Sequence, residues 1–347
     1  MAMHSMIEID GSFGEGGGQI VRTAVSLSAV TAKPVHITRI RQGRPKPGLA
    51  AQHAHAIAAL AGICSAKTSG VEPGSSEIVF VPGEIRGGSH RVEIGTAGSV
   101  TLLMQCLLPA LLQADGPVSL RVHGGTDVQW SPTIDYFRSV FLPALSSFGA
   151  DVRLDLLQRG YYPRGQGIVF LKVVPRELKA HHFQASGREA AQLAVQGISH
   201  SSNLPLHVTA RQAEAAAKKL LEAGYVAEIA QEQLELPSTG SGITLWHRGK
   251  GASCLGERGL AAEKVGRRAA GEMIDELKST ASLDVHLGDQ LIPYLALAGG
   301  SYTVREVSLH AKTNIWTAGH FLDTEIAVVE ENGVFRIEGS SDVRPRV

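Results

Sequence analysis

Three stretches of the chain share one pattern: alternating apolar residues, a glycine-containing turn, then apolar residues at helical spacing. They read MIEIDGSFGEGGGQIVRTAVSLSAV from Met6, HRVEIGTAGSVTLLMQCLLPALL from His90 and LDVHLGDQLIPYLALAGG from Leu283. The alternation predicts a strand before each turn, and the spacing of Ile20, Ala24 and Leu27 predicts a helix after it. In the first two stretches another strand is expected at 35–40 and 118–122, then a second helix at 49–61 and 134–148, then strands ending at 77–81 and 167–173. The unit is β-α-β-α-β-β, an α/β repeat.

Spacing locates an insertion. About 80 residues separate Gly14 from Gly95, but about 190 separate Gly95 from Gly288, a surplus the size of a small domain. Within the surplus, Thr209-Ala-Arg-Gln212 has the form of a capping box opening a helix that Gly224 could close. Strands at 227–236 and 243–247 and an amphipathic helix near 261–277 follow. The expected architecture is a large domain of 1–179 plus 280–347, built from repeats at about 6–90, 90–179 and 281–342. A smaller α/β domain at 180–279 is inserted between repeats two and three.

Composition narrows the class. With 44% hydrophobic and 19% charged residues in 347, the chain can bury sizeable cores and lacks a disordered signature. Three scattered cysteines suit neither a disulfide scaffold nor a zinc site, and point to a reducing, cytoplasmic setting. Lys+Arg and Asp+Glu balance at 33 each, so attraction to nucleic acid has to come from a local patch. No secretory leader is expected in the first ten residues. The most lipophilic run, 100–112, is too short to span a bilayer, so no membrane partner is expected.

Four places can carry chemistry. Gly14-Glu15-Gly16-Gly17-Gly18-Gln19 opens the helix containing Arg22, and a glycine turn at a helix N-terminus suits an anion. Glu15 there makes sense as a divalent-metal ligand that reconciles its carboxylate with phosphates; the alternative is a tight structural turn. Arg39, Arg41, Arg44 and Lys46, with no acid among them, suit a nucleic-acid backbone or else form a solvated loop. His310 stands where a strand at 303–309 gives way to a helix near Thr313, as a nucleophile or base or as one ordinary histidine among 14. Asp289-Gln290 open the third-repeat helix, as nucleotide or metal contacts or as a plain cap. His53 and His55, two apart on a helix, face different ways and make a poor metal pair.

Taken together, GEGGGQIVR, IRQGRPKPGL, GTAGSVTLLMQCLLPALL, GGTD, RGYYPRGQG, HLGDQL and HAKTNI resemble, in order, the RNA 3′-terminal phosphate cyclase family over nearly the whole chain. That resemblance implies a ligase-class enzyme that uses ATP and a divalent metal, Mg²⁺ or Mn²⁺, to turn an RNA 3′-phosphate into a 2′,3′-cyclic phosphate. It implies His310 as the nucleophile that becomes adenylylated, Glu15 near the metal and Arg22 on phosphate. Gln105, Pro132 and the run His286, Leu287, Gly288, Asp289 and Gln290 match nucleotide-binding positions. Arg41, Arg44 and Gln52 match positions for the RNA terminal phosphate. Two departures stand out: His286 where tyrosine is expected, and Gln166 interrupting a glycine run. The rival readings are a non-catalytic RNA-binding relative serving ribosome biogenesis, which would lack the nucleophilic histidine, and an enolpyruvyl transferase. Neither the physiological RNA nor the oligomeric state is legible.

Overall fold

The computed structural model describes residues 5–95, 97–184 and 194–340. Thr96 of the second glycine turn, 185–193 of the expected insert and the two chain ends lie outside the described residues. Four four-stranded sheets and their covering helices make a mixed α/β molecule. In the first sheet, Ile7–Asp10 pairs in parallel with Val35–Thr38, which is antiparallel to Ile78–Val81, itself edged by Lys67–Ser69. The second repeats this arrangement with Gly88–Glu93, Val118–Gly124, Gly167–Val174 and Asp151–Gln158. Inward residues alternate with outward ones along Val118–Gly124, because one face packs on helices and the other meets water. Helix Val100–Leu111 is buried on almost every side; Ser99 caps it by accepting the Leu102 N–H (3.2 Å).

The third sheet departs from the expected pattern. Its order is Ile326–Glu331, Val334–Gly339, Gly300–Val304 and His181–His182, with the last two parallel. The strand expected before Gly288 is absent: Val285–Gln290 is a helix capped by Asp284, whose carboxylate accepts the Leu287 N–H (2.8 Å). Asp289 and Gln290 therefore end that helix and do not cap it. The parallel edge strand is supplied instead by His181–His182, more than a hundred residues earlier.

The fourth sheet runs Ala227–Leu234, Val195–Ser202, Gly240–His247 and Lys250–Leu255, covered by helices His207–Glu222 and Ala262–Lys278. The capping box does not form. Thr209 lies inside the first helix and its hydroxyl donates back to Leu206 O (3.2 Å), while Gly224 takes the left-handed conformation just past the helix end, as expected. Strand Lys250–Leu255 escaped the periodicity because both its faces are partly covered. One hydrophobic core gathers side chains from Ile9 to Val173 and Leu283 to Ile337, and a second only from Val195 to Ile274. Buried polar contacts join the two, among them Thr133–Thr244 (2.8 Å) and the Gly251 N–H donating to Asp284 (2.8 Å). Among the described residues, no helix is long and apolar enough to cross a membrane.

Candidate active site

The glycine turn after Ile7–Asp10 folds tightly, with Gly14 and Gly16 in the left-handed region (φ 59° and 56°), and releases the chain into helix Gly18–Thr31. No side chain caps that helix, so its N-terminal amides are presented to whatever occupies the cleft beside it. Glu15 in this turn meets two groups from distant parts of the chain. Its Oε2 lies 2.5 Å from His310 Nε2 and 3.3 Å from Arg44 Nη2.

His310 is not at a strand end. It is the second residue of helix Leu309–Phe321, which starts earlier than its apolar spacing suggests because Ser308 caps it, accepting the Ala311 N–H (2.9 Å). Gln19 Nε2 donates to His310 O (3.1 Å), tying the two helix starts together. Behind the imidazole lies Asp289, whose carboxylate accepts from Ser308 Oγ (3.3 Å) and stands 4.0 Å from His310 Nδ1. Asn314 donates to Asp289 O and accepts from Thr23 Oγ1 (2.9 and 2.8 Å), so the backbone beneath the pair is held from two sides. Burial pushes the Asp289 carboxyl well above the usual carboxylate range; Asp284 and Glu15 add to the shift, while Ser308 and Arg22 oppose it.

A cationic wall adjoins this pair. Arg22, Arg41, Arg44 and Gln52 all line the cleft, and Arg41 is braced by donating to Gly48 O (3.0 Å). Arg39, from the same loop, is spent on Asp10 (2.6 and 3.1 Å), and Lys46 does not line the cleft. His53 does, and sequence reasoning passed over it. It never pairs with His55, whose Nδ1 turns to Ala51 O; instead its Nδ1 accepts from Arg22 Nη1 (3.1 Å). Burial holds the His53 imidazole down at about 2, with Arg22 and Arg41 adding to the effect, so it is a neutral acceptor that orients Arg22. Its ring lies so close to Gly18 that a Cβ there would fall 1.8 Å from His53 Nε2. The sequence signal was its place in GLAAQHAH, just after the arginine loop.

The cleft has a volume of about 1020 Å³. Its far side carries Gln105, hydrogen-bonded to Gln290 (2.6 Å), together with Pro132 and His286. Leu287 and Gly288 do not line it. Leu287 is core, and Gly288 sits against Val304, where a Cβ would fall 2.4 Å from Cγ1. This glycine serves helix–strand packing. Gly251, Ala252, Ser253 and Glu272 bring the second core's unit to the wall, and Trp130 stands 96% exposed at the rim. Sequence patterning flagged none of these. Gln166 takes the left-handed conformation (φ 59°) that the missing glycine would adopt at no cost, and its carbonyl accepts from Gln158 (2.7 Å).

Among the acids of the cleft, Glu15 suits a hard divalent cation. A single protein carboxylate leaves the other positions to waters and substrate phosphates, as such ions prefer. Its present contacts to His310 and Arg44 would have to be exchanged.

Comparison with known proteins finds similarity to one family along nearly the whole chain. The family model described as RNA 3′-terminal phosphate cyclase matches residues 13–328. A Methanosarcina acetivorans protein named RNA 3′-terminal phosphate cyclase is 55% identical over 352 residues, covering 96% of this chain and 99% of that one. Proteins of the same name from Archaeoglobus fulgidus and Pyrococcus furiosus are 53% and 46% identical, covering 91% and 96% of this chain and 96% and 98% of their own. Among solved structures, an EPSP synthase from Acinetobacter baumannii covers 97% of this chain and 64% of its own at 12% identity, with a TM-score of 0.30, too low to bear on fold or activity.

Proposed function

Because the chain belongs to the RNA 3′-terminal phosphate cyclase family, we propose that it converts an RNA 3′-terminal phosphate to a 2′,3′-cyclic phosphate at the expense of ATP. The observation that carries the reading is the juxtaposition of His310 with Glu15, an uncapped helix N-terminus and a wall of arginines in one cleft. A His310 nitrogen attacks the α-phosphorus of ATP, and the α–β bridging bond breaks to release diphosphate. The RNA 3′-phosphate oxygen then attacks the same phosphorus, returning the imidazole and forming an RNA–adenylate anhydride. Finally the vicinal 2′-oxygen attacks the RNA phosphorus, its proton is lost, and AMP leaves.

The chemistry explains why activation is needed. A terminal monoester is dianionic and has only a poor leaving group; the anhydride supplies AMP instead. The 2′-hydroxyl is already adjacent, so the last step needs mainly alignment and charge stabilisation. A DNA end lacks that hydroxyl and stops before cyclisation. The residues divide by position. Asp289, 4.0 Å from Nδ1, would face the far side of the ring, leaving Nε2 as nucleophile once Glu15 releases it. Gln105, Pro132, His286 and Gln290 would take the nucleotide, Arg22 its phosphates, and Arg41, Arg44 and Gln52 the RNA phosphate. Glu15 would hold Mg²⁺ or Mn²⁺, which supplies charge neutralisation at the phosphates. The segment from Val195 to Lys278, which holds the second core, is proposed as a domain inserted in the larger one, to whose sheet His181–His182 belongs. A purely RNA-binding role is not favoured, since it has no use for His310 facing the cleft.

The test is covalent labelling with α-phosphate-labelled ATP and a divalent ion, followed by denaturation. Acid-labile, alkali-stable label is expected on the wild type and none on His310→Ala. A wild type that retains no label with either ion would overturn the reading.

A further inference from the structure

Away from the cleft floor, where the two cores meet, lies a wholly buried polar cluster that the proposed reaction does not use. Asp127 follows strand Val118–Gly124, Asp135 sits in the short helix Ile134–Tyr136, and His200 lies on Val195–Ser202 of the second core's sheet. All three are 2% exposed or less. One ligand atom from each, two carboxylate oxygens and an imidazole nitrogen, fall within 4.8 Å of one another. His200 Nε2 is 3.5 Å from Asp127 Oδ1 and 4.0 Å from Asp135 Oδ2, close to the ~3.4 Å edge of a tetrahedron drawn around zinc at ~2.1 Å. Of these atoms, Asp127 Oδ1 and His200 Nε2 have no hydrogen-bond partner, and Asp135 Oδ2 meets only the Arg159 guanidinium. Unpaired buried acceptors are costly and call for an occupant.

The charge count points the same way. Arg159, also buried, faces both carboxylates, 2.7 Å from Asp135 Oδ2 and 3.3 Å from Asp127 Oδ2. It is one buried positive charge against two buried negative ones. Glu232 on Arg159 Nε and Arg138 on Asp135 Oδ1 reach solvent and offset each other. The buried set therefore keeps one uncompensated negative charge, which a cation would remove. A carboxylate oxygen has two lone pairs, so Asp135 Oδ2 can face Arg159 with one and an ion with the other. Tyr161 OH lies 2.7 Å from His200 Nδ1, and if the ring proton sits there the Nε2 lone pair faces the cluster. Such an outer hydrogen bond commonly fixes the tautomer of a ligating histidine.

We propose that Asp127, Asp135 and His200 form a binding site for a transition-metal dication of the zinc type, joining the two cores. One imidazole with two carboxylates favours zinc or a close relative over Mg²⁺ or Ca²⁺, which prefer oxygen throughout. The site has a consequence for the cleft, because Asp127 and Asp135 bracket residues 128–133, all of which line it. An ion at their two ends would set the position of that wall. The inference does not depend on the cyclase reading.

The full chain is stripped with chelator, dialysed against Zn²⁺ and then against metal-free buffer, and its zinc is counted. About one ion per chain is expected in the wild type and in Glu15→Ala, and none in His200→Gln or Asp135→Asn. Zn²⁺ should raise the melting temperature of the wild type and leave His200→Gln unmoved. Should the variants not fold, unaltered protein crystallised with Zn²⁺ gives an anomalous peak between the three side chains. No retained zinc in the wild type, equal retention in a folded His200→Gln, or no peak there would each overturn the proposal. The cluster would then be closed by an Nε2 proton directed at Asp127.

Discussion

Gly18 and His53 make the sharpest test of the cleft's packing. Gly18 has ordinary helical geometry, so Gly→Ala there would by propensity alone stabilise the protein by ~0.5–1 kcal/mol. The structure reverses the sign. A Cβ on residue 18 would lie 1.8, 2.3 and 2.4 Å from Nε2, Cε1 and Cδ2 of His53, a ring only 6% exposed. The ring has to leave. Overpacking costs ~1–3 kcal/mol, and loss of its hydrogen bond from the Arg22 guanidinium costs ~1.5–3 kcal/mol more. Less the helix gain, Gly18→Ala should lose ~2–5 kcal/mol, read from the midpoint of urea unfolding followed by circular dichroism. With His53→Ala as background no ring is present to expel, and Gly18→Ala should stabilise by its propensity value. The sign of one substitution thus depends on the residue opposite. The same sign and size in both backgrounds would refute the packing argued for His53, and with it the account of how Arg22 is oriented.

Arg41→Gln should abolish most cyclisation while leaving self-adenylylation within about twofold, whereas Arg44→Gln should impair both, because Arg44 also touches Glu15 beside His310; single-turnover assays of the two steps check this, and equal losses for Arg41→Gln would break the division of labour. His53 is held down at about 2, against ~6.5 in an unfolded chain. As pH falls below 6.5 the unfolded state takes up a proton that the folded state refuses, so this residue costs up to ~1.4 kcal/mol of stability per pH unit, none of it above pH 7. Urea titrations from pH 7.5 to 4.5 should show a shallower decline in His53→Gln, and identical slopes would exclude the assignment. Burial pushes the Cys106 thiol, on the cleft wall, up to about 12 against the pull of Arg22. At pH 8 iodoacetamide should alkylate it about a thousandfold more slowly than in denatured protein, as read by mass spectrometry of its peptide; comparable rates would contradict its burial.

Local chemistry wrote much of this molecule into its sequence. The alternation in Ile7–Asp10 and Val118–Gly124, the glycine turn before Gly18 and the apolar run of Val100–Leu111 are short-range signals, and each gives the element it predicts. Of the site residues expected from ordered motifs, all but Leu287 and Gly288, which serve packing, line the one cleft, whereas His53, Trp130, Gly251, Ala252, Ser253 and Glu272 line it without having been expected there. The sequence could not tell which distant segments meet. A two-residue strand at His181–His182 carries no periodicity, and its parallel pairing with Gly300–Val304 exists only because the folded sheet offers it an edge. His53 read as one of two mismatched histidines until the first-turn backbone at Gly18 came against its ring. Glu15 with His310, Thr23 with Asn314, Gln105 with Gln290 and Asp127 with His200 are pairings between residues tens to hundreds of positions apart. Propensity and periodicity act over a few residues, where backbone geometry alone sets who is near whom. Partners separated by whole domains are chosen by burial and charge only after the chain has closed, and so the site's chemistry was decided by the tertiary fold.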